Sequence, residues 1–346
     1  MKVTGRSINP VLARELKERL RTRRATIVVV AYLAVLAVIL QVVYSALSSS
    51  VSDPFSDPMA TQSALLGRSL FETLLFFMLL LVAFIVPGLT ADAVTGERER
   101  QTLVPLQVSL LAPRSILAGK LLSSLAFVTL LVLATLPLLG VSFILGGVSV
   151  GQLARGVVAV LVTGVVLACL ALACSSLARR TQGAMVLAYG CAVFLMLGTV
   201  LIYGAQAVVD DAPEPHRPSL AVLTLNPLFT AADVTGPATG LFNVTSPLEP
   251  MRHLIAEERR NQAGWFGVEP APFAEGAGTT VVFDRPAVAS EPVVVGPDGI
   301  PRPVPDPEAD LGGVPFWARS LASLGVLAGA AFALAVRRLR TPSTRA

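Results

Sequence analysis

Six apolar runs set the terms for this chain: residues 25–47, 65–90, 116–145, 152–178, 183–209 and 315–336. Each reaches or exceeds the roughly 20 residues an α-helix needs to cross a hydrocarbon core about 30 Å thick. A soluble helix buries one apolar stripe and keeps a polar face, so runs of this length exclude a water-soluble fold. Charged residues make up only 14% of the 346 positions against 53% hydrophobic, where soluble domains carry about 25% charge. The expected fold class is an all-α integral membrane protein with six transmembrane helices. The first run is too long for the apolar stretch of a signal peptide, and its basic leader is too extended, so it reads as a retained first span.

Charge placement orients the spans. Lys and Arg number eight in residues 1–24, four in 91–120, two at 179–180 and four in the tail (Arg337, Arg338, Arg340, Arg345). The alternate side holds six in the 210–314 segment, plus Arg68, Arg155 and Arg319 near helix ends. The positive-inside rule then places both termini and the 91–120 insert in the cytoplasm and 210–314 outside. Arg outnumbers Lys 24 to 3 and Ala, Val, Leu and Gly dominate, which reads as the coding bias of a GC-rich bacterial genome. The expected location is the inner (cytoplasmic) membrane.

The organisation follows. Residues 1–24 contain an amphipathic segment in which Asn9 and Pro10 suit a helix start. Ile8, Leu12, Leu16 and Leu20 recur every four residues, while Arg14, Lys17 and Arg21 take other faces, as in a helix lying in the headgroup layer. Residues 25–209 hold spans one to five, with a charged insert at 91–115. The 210–314 loop carries 16 of the 25 prolines and reads as a partly ordered external cap or a mobile loop. One or two short helices are expected within Ser219–Phe242, a sharp turn at Leu225–Phe229, and short β-like runs at Thr279–Phe283 and Pro292–Val295. Residues 315–336 form the sixth span and 337–346 a cytoplasmic tail.

The insert is the segment that points to function. A chain that only crossed and returned would need a short polar turn, yet about thirty residues stand here. Thr95 is placed to cap a helix with Glu97 and Glu99 in its first turn, at the positive end of the helix dipole. Pro105 and Pro113 are expected to divide the insert into two helical pieces, and Arg114 and Lys120 to anchor the next span. A short helix with both charge signs suits a contact in a groove of a cytoplasmic partner; an ordinary polar loop with interfacial anchors is the alternative.

Catalytic patterns are missing. The sequence contains no GxxxxGK[ST], HExxH, CxxC or GxSxG, and no metal cluster is expected. His216 and His253 stand apart in the Pro-rich loop. Cys169, Cys174 and Cys191 fall in apolar runs and read as small buried hydrophobes. Within the spans, Arg68 and Glu72 lie four apart near the outer end of the second run and can pair on one helix face. They read as an interfacial pair or as a pathway contact. Pro137 can kink the third span.

Gly96-Glu97-Arg98-Glu99, Gln101-Thr102-Leu103, then Pro113-Arg114, Ile116 and Gly119-Lys120 before an apolar span resemble the permease subunits of ABC-2 type transporters. The opening Asn9-Pro10-Val11-Leu12-Ala13-Arg14-Glu15-Leu16 is similar to the segment that forms the connecting helix in that family. The resemblance covers roughly 1–210 and 315–336. It implies that the insert is a coupling helix received by a separate ABC ATPase subunit, with Gly96, Glu97, Arg98, Glu99, Thr102, Leu103, Pro113 and Arg114 at the contact. It also implies a dimer with a second permease copy or homologue, the second and fifth spans near the pathway, and ATP and Mg bound through the partner. This chain would bind no cofactor and no nucleic acid and would catalyse no reaction. The function expected is ATP-driven transport, export in direction; the alternative is a membrane anchor or assembly protein presenting the 210–314 loop to a partner.

Overall fold

The computed structural model describes residues 23–50, 59–101, 113–209, 221–236, 246–262, 293–295, 301–303 and 315–340. The amphipathic segment with Leu12, Arg14, Leu16 and Leu20 lies outside these residues, as do Thr102 and Leu103. In chain order the helices are α1 (Arg23–Ser50), α2 (Met59–Thr90), α3 (Asp92–Glu99), α4 (Pro113–Leu145), α5 (Val150–Leu177) and α6 (Thr181–Val193). A π-helical turn (Phe194–Gly198) joins α6 to α7 (Thr199–Val209). A 3-10 turn (Leu223–Leu225), α8 (Pro227–Val234), α9 (Glu249–Gln262) and α10 (Phe316–Arg340) follow.

Among the described residues six helices are long and apolar enough to cross a membrane, and they match the six expected runs. The spans are α1, α2, α4, α5, the α6–α7 pair and α10. The protein is a multi-pass, all-α membrane protein.

Two compact units divide the chain: Met1–Arg252 with Phe316–Ala346, and His253–Pro315. The smaller unit holds the end of α9 and an antiparallel ribbon of β1 (Val293–Val295) and β2 (Pro301–Pro303), with Val294 opposite Arg302. Two strands alone tolerate prolines, because each has an edge that needs no donor. The run expected at 292–295 is β1, whereas the one at 279–283 lies outside the described residues.

In the larger unit α5 is the hub. It packs against α2, α3, α4, α6, α8 and α10. Its most apolar window is 67% buried, against 11% for α1 at the periphery. Small residues allow this: a Cβ on Gly164 would stand 2.9 Å from Val128 Cγ1 of α4, so the two helices meet through bare backbone. The large apolar side chains left on the perimeter, such as Val30, Val186, Leu201 and Val326, suit hydrocarbon rather than water.

The α4–α5 turn fixes the end of the bundle opposite α3. Gly146 and Gly147 adopt positive φ of 90° and 77°, and a Cβ on Gly147 would meet the Ala64 carbonyl oxygen at 2.0 Å. Ser149 then starts α5 with a capping box: its Oγ accepts from the Gln152 amide at 3.2 Å, and Gln152 Oε1 accepts from the Ser149 amide at 2.8 Å. Prolines sit inside α2 (Pro87) and α4 (Pro137), and α4 continues through Pro137 as one helix. One turn before Pro87 the Phe84 carbonyl accepts from Tyr189 Oη at 3.0 Å, which ties the second span to the fifth.

Candidate functional site

Helix α2 stops at Thr90, and after one turn residue, Ala91, the charged helix α3 begins at Asp92. The start differs from the expectation. Thr95 is not the cap; it lies mid-helix, and its Oγ1 donates back to the Ala91 carbonyl at 3.1 Å. Asp92 is the acidic residue of the first turn, which places Glu97 and Glu99 toward the far end. The reason is a cap supplied by another helix. Ser175 Oγ of α5 accepts from the Val94 and Thr95 amides at 3.0 and 3.1 Å, two of the donors a helix start leaves open. With those filled from α5, the chain needs no local cap, and Ala91 offers none.

The three consecutive charges of α3 each bond a different place. Glu97 Oε1 accepts from Lys120 Nζ of α4 at 3.3 Å. Arg98 Nη1 donates to the carbonyl of Ala178, the residue that closes α5, at 2.7 Å. Glu99 Oε1 accepts from the amide of Thr181, the first residue of α6, at 2.7 Å. Charge and dipole agree in the last two, a cation at a helix C-terminus and an anion at an N-terminus. The Thr181 amide bond, with the Thr181 side chain and the Arg180 charge, holds the Glu99 carboxyl below its ordinary range. Glu99 lies beyond the apolar stretch of α2, at the exposed tip of the elbow.

Beneath the charges, Ala93 and Val94 enter a cluster with Leu117 of α4, Leu172 of α5, and Ala335 and Leu339 of α10. The elbow therefore contacts the ends of four spans. Gly96 faces open surroundings, its nearest prospective neighbour being Asp92 Cβ at 3.8 Å, so packing does not require glycine there. Gln101, with φ 57°, turns the chain out of the helix; Arg100, Gln101 and Arg114 are exposed. Pro113 is the first residue of α4, where its missing N–H costs nothing, and the expected division of the insert at Pro105 lies outside the described residues.

At the other end, Arg68 and Glu72 pair as their spacing implied, Nε to Oε1 at 3.0 Å. The sequence reading missed their third member. Arg252 of α9 donates Nη2 to Glu72 Oε2 at 2.5 Å. The Arg252 and Glu72 side chains are 7% and 3% exposed, so this is a buried ion pair. Arg68 also reaches the Thr235 and Gly236 carbonyls at 3.4 Å, and Gln152 Nε2 donates to Thr235 O at 3.0 Å. A signal for Arg252 was present: Leu248, Arg252 and Ile255 recur at helical spacing and are all buried, unlike a solvated helix.

The sharp turn expected at 225–229 is Asn226 at the cap of α8, with Pro227 in the first turn. Asn226 Oδ1 accepts from the Leu228 amide at 2.9 Å. Its Nδ2 donates to Met196 O, inside the π-helical turn, at 2.7 Å and to Thr199 Oγ1 at 2.9 Å. Helix α8, buried along nearly its whole length, packs on α2, α5 and α10. Asp233 Oδ2 accepts from the Trp317 amide at 2.8 Å and so caps α10, and Thr230 Oγ1 bonds Ser320 Oγ. Helix α8 is thus core.

Among the described residues no three His, Cys, Asp or Glu side chains converge as metal ligands. Cys169 and Cys174 are buried, and Cys174 Sγ lies 3.8 Å from Cys191 Sγ across the α5–α6 contact.

Six spans with a short charged helix between the second and third define a multi-pass membrane protein with a polar elbow at one end of its bundle. The chain belongs to the ABC-2 transporter family: residues 10–283 match the family described as ABC-2 family transporter protein. It is accordingly a permease of an ABC transporter. The match includes the elbow and the first five spans. No curated protein matches the chain.

Proposed function

We propose that α3 and the residues following it are the coupling element of this permease, gripped by a separate ATPase subunit that binds ATP and Mg. In this reading the elbow end faces the cytoplasm, two six-span halves form the transporter, and nucleotide-driven closure of the ATPase pair moves substrate outward. The chain performs no covalent chemistry; it converts a push on the elbow into a change of exposed surface.

The observation that carries the reading is the bonding of α3 to the ends of α4, α5 and α6 through Glu97, Arg98 and Glu99. A polar loop that merely returned the chain would need no such ties. Those side chains face their own spans, so of the motif residues they hold the lever, and the exposed Arg100, Gln101 and Arg114 meet the partner. Burial of 227–234 in the core argues against the anchor alternative, because that stretch of the loop is not on offer to a partner.

Co-purification tests the docking. The double variant Arg100→Glu, Arg114→Glu is expected to recover at least about tenfold less ATPase subunit at equal membrane insertion, since like-charge contact at an interface costs more than 1.4 kcal/mol. Unchanged recovery would contradict it. Orientation has its own test: a thiol at Gln101→Cys should resist a membrane-impermeant maleimide in intact cells and react in opened ones.

A further inference from the structure

We propose that Ser175 is the pivot through which displacement of the elbow reaches the hub helix, a positioning role that rests on the docking reading above. The covalent path from α3 leads to α2 on one side and to residues 102–112 on the other. The bonded path leads elsewhere. Ser175 holds the Val94 and Thr95 amides, Arg98 holds Ala178, and Glu99 holds Thr181, so four hydrogen bonds converge on the seven residues 175–181 where α5 passes into α6.

These four bonds differ in stiffness. Arg98 and Glu99 reach the corner with long side chains, and Glu99 is exposed, so several torsions lie between the two backbones. Ser175 is 0% exposed and its Oγ is set by one side-chain torsion. It accepts from backbone amides directly, with Thr95 Oγ1 a further 3.4 Å neighbour. A push on α3 is therefore taken up first at Ser175, while Arg98 and Glu99 guide the rotation about it. Helix α5 then distributes the movement, because it packs on five other helices of the bundle besides the elbow.

The neighbouring Ser176 supplies the control. It is buried in the same turn, but its Oγ donates to Ala173 O at 2.7 Å within α5. Loss of that hydroxyl removes a similar bond without touching the elbow.

The experiment uses hydrogen–deuterium exchange on the full-length chain in nanodiscs. Without the ATPase subunit, Ser175→Ala should speed exchange at Val94 and Thr95 about tenfold, and Ser176→Ala should not. With the ATPase subunit, Mg·ATP and orthovanadate are expected to change exchange in both 91–101 and 171–185 of the native chain. In Ser175→Ala the change should persist at 91–101 and fall at least threefold at 171–185, with Ser176→Ala behaving as native. Retention of the full 171–185 response in Ser175→Ala overturns the pivot and leaves docking standing. Absence of any response at 91–101 in the native chain overturns the docking reading, and the pivot with it.

Discussion

The two ends of the bundle are held by opposite kinds of bond. At the elbow end, ties run from α3 to the ends of other spans, and three of the five side chains involved, Glu97, Arg98 and Glu99, are long and partly or fully open to solvent. At the other end, α8 is buried and the Glu72–Arg252 ion pair lies almost wholly out of water. The proposed coupling, in which the elbow end moves and the other end holds, calls for this asymmetry. Surface-accessible charge pairs cost little to remake, whereas a buried pair cannot be opened without leaving a charge uncompensated.

Breaking the buried pair should have the largest effect. Glu72→Ala leaves Arg68 and Arg252 without their shared carboxylate and is expected to destabilise the bundle by about 3–5 kcal/mol. A thermal unfolding midpoint in detergent indistinguishable from native would show that the pair is not buried in the working protein. Asn226→Ala comes next, at about 2 kcal/mol, because it removes the α8 cap and the donors to Met196 O and Thr199 Oγ1 together. An unaltered midpoint there would separate the π-helical turn from α8.

The elbow substitutions should sit below both. Lys120→Met removes one partner of Glu97, whose side chain is 29% exposed and can take water in its place, and should cost about 1 kcal/mol. A loss as large as that of Glu72→Ala would erase the contrast between the ends. The smallest effect is a pH dependence. The Glu99 carboxyl is held below its ordinary range, so its contribution is present above the unfolded carboxylate value and is lost as pH falls through the lower folded value. The difference in unfolding midpoint between native and Glu99→Gln should be flat from pH 8 to about 6 and shrink only in acid. A difference that changed near neutral pH would place the titrating group elsewhere.

How much of this was legible in the sequence depends on whether the signal was local. The spans were, because uninterrupted apolar length needs no partner to be read. The Arg68–Glu72 pair was, because four residues make one helical turn. The caps were not. Ser175 for α3, Glu99 for α6 and Asp233 for α10 all act across the fold, at sequence separations a local capping rule does not search. Thr95 satisfied the local rule and lost to Ser175. Arg252 was hidden by its setting, since a proline-rich polar segment suggests solvent, and only the apolar spacing of Leu248 and Ile255 around it argued otherwise.

One measurement bears most directly on the asymmetry. Spin labels at Arg23 and Gln182 report the elbow end, and labels at Gly151 and Ala221 the other; all four positions are exposed. In the complex with its ATPase subunit, trapping with Mg·ATP and vanadate should shift the first distance by several ångströms, on the scale of known helix movements at interfaces, and leave the second unchanged. A first distance that stays fixed while the second moves would contradict the account.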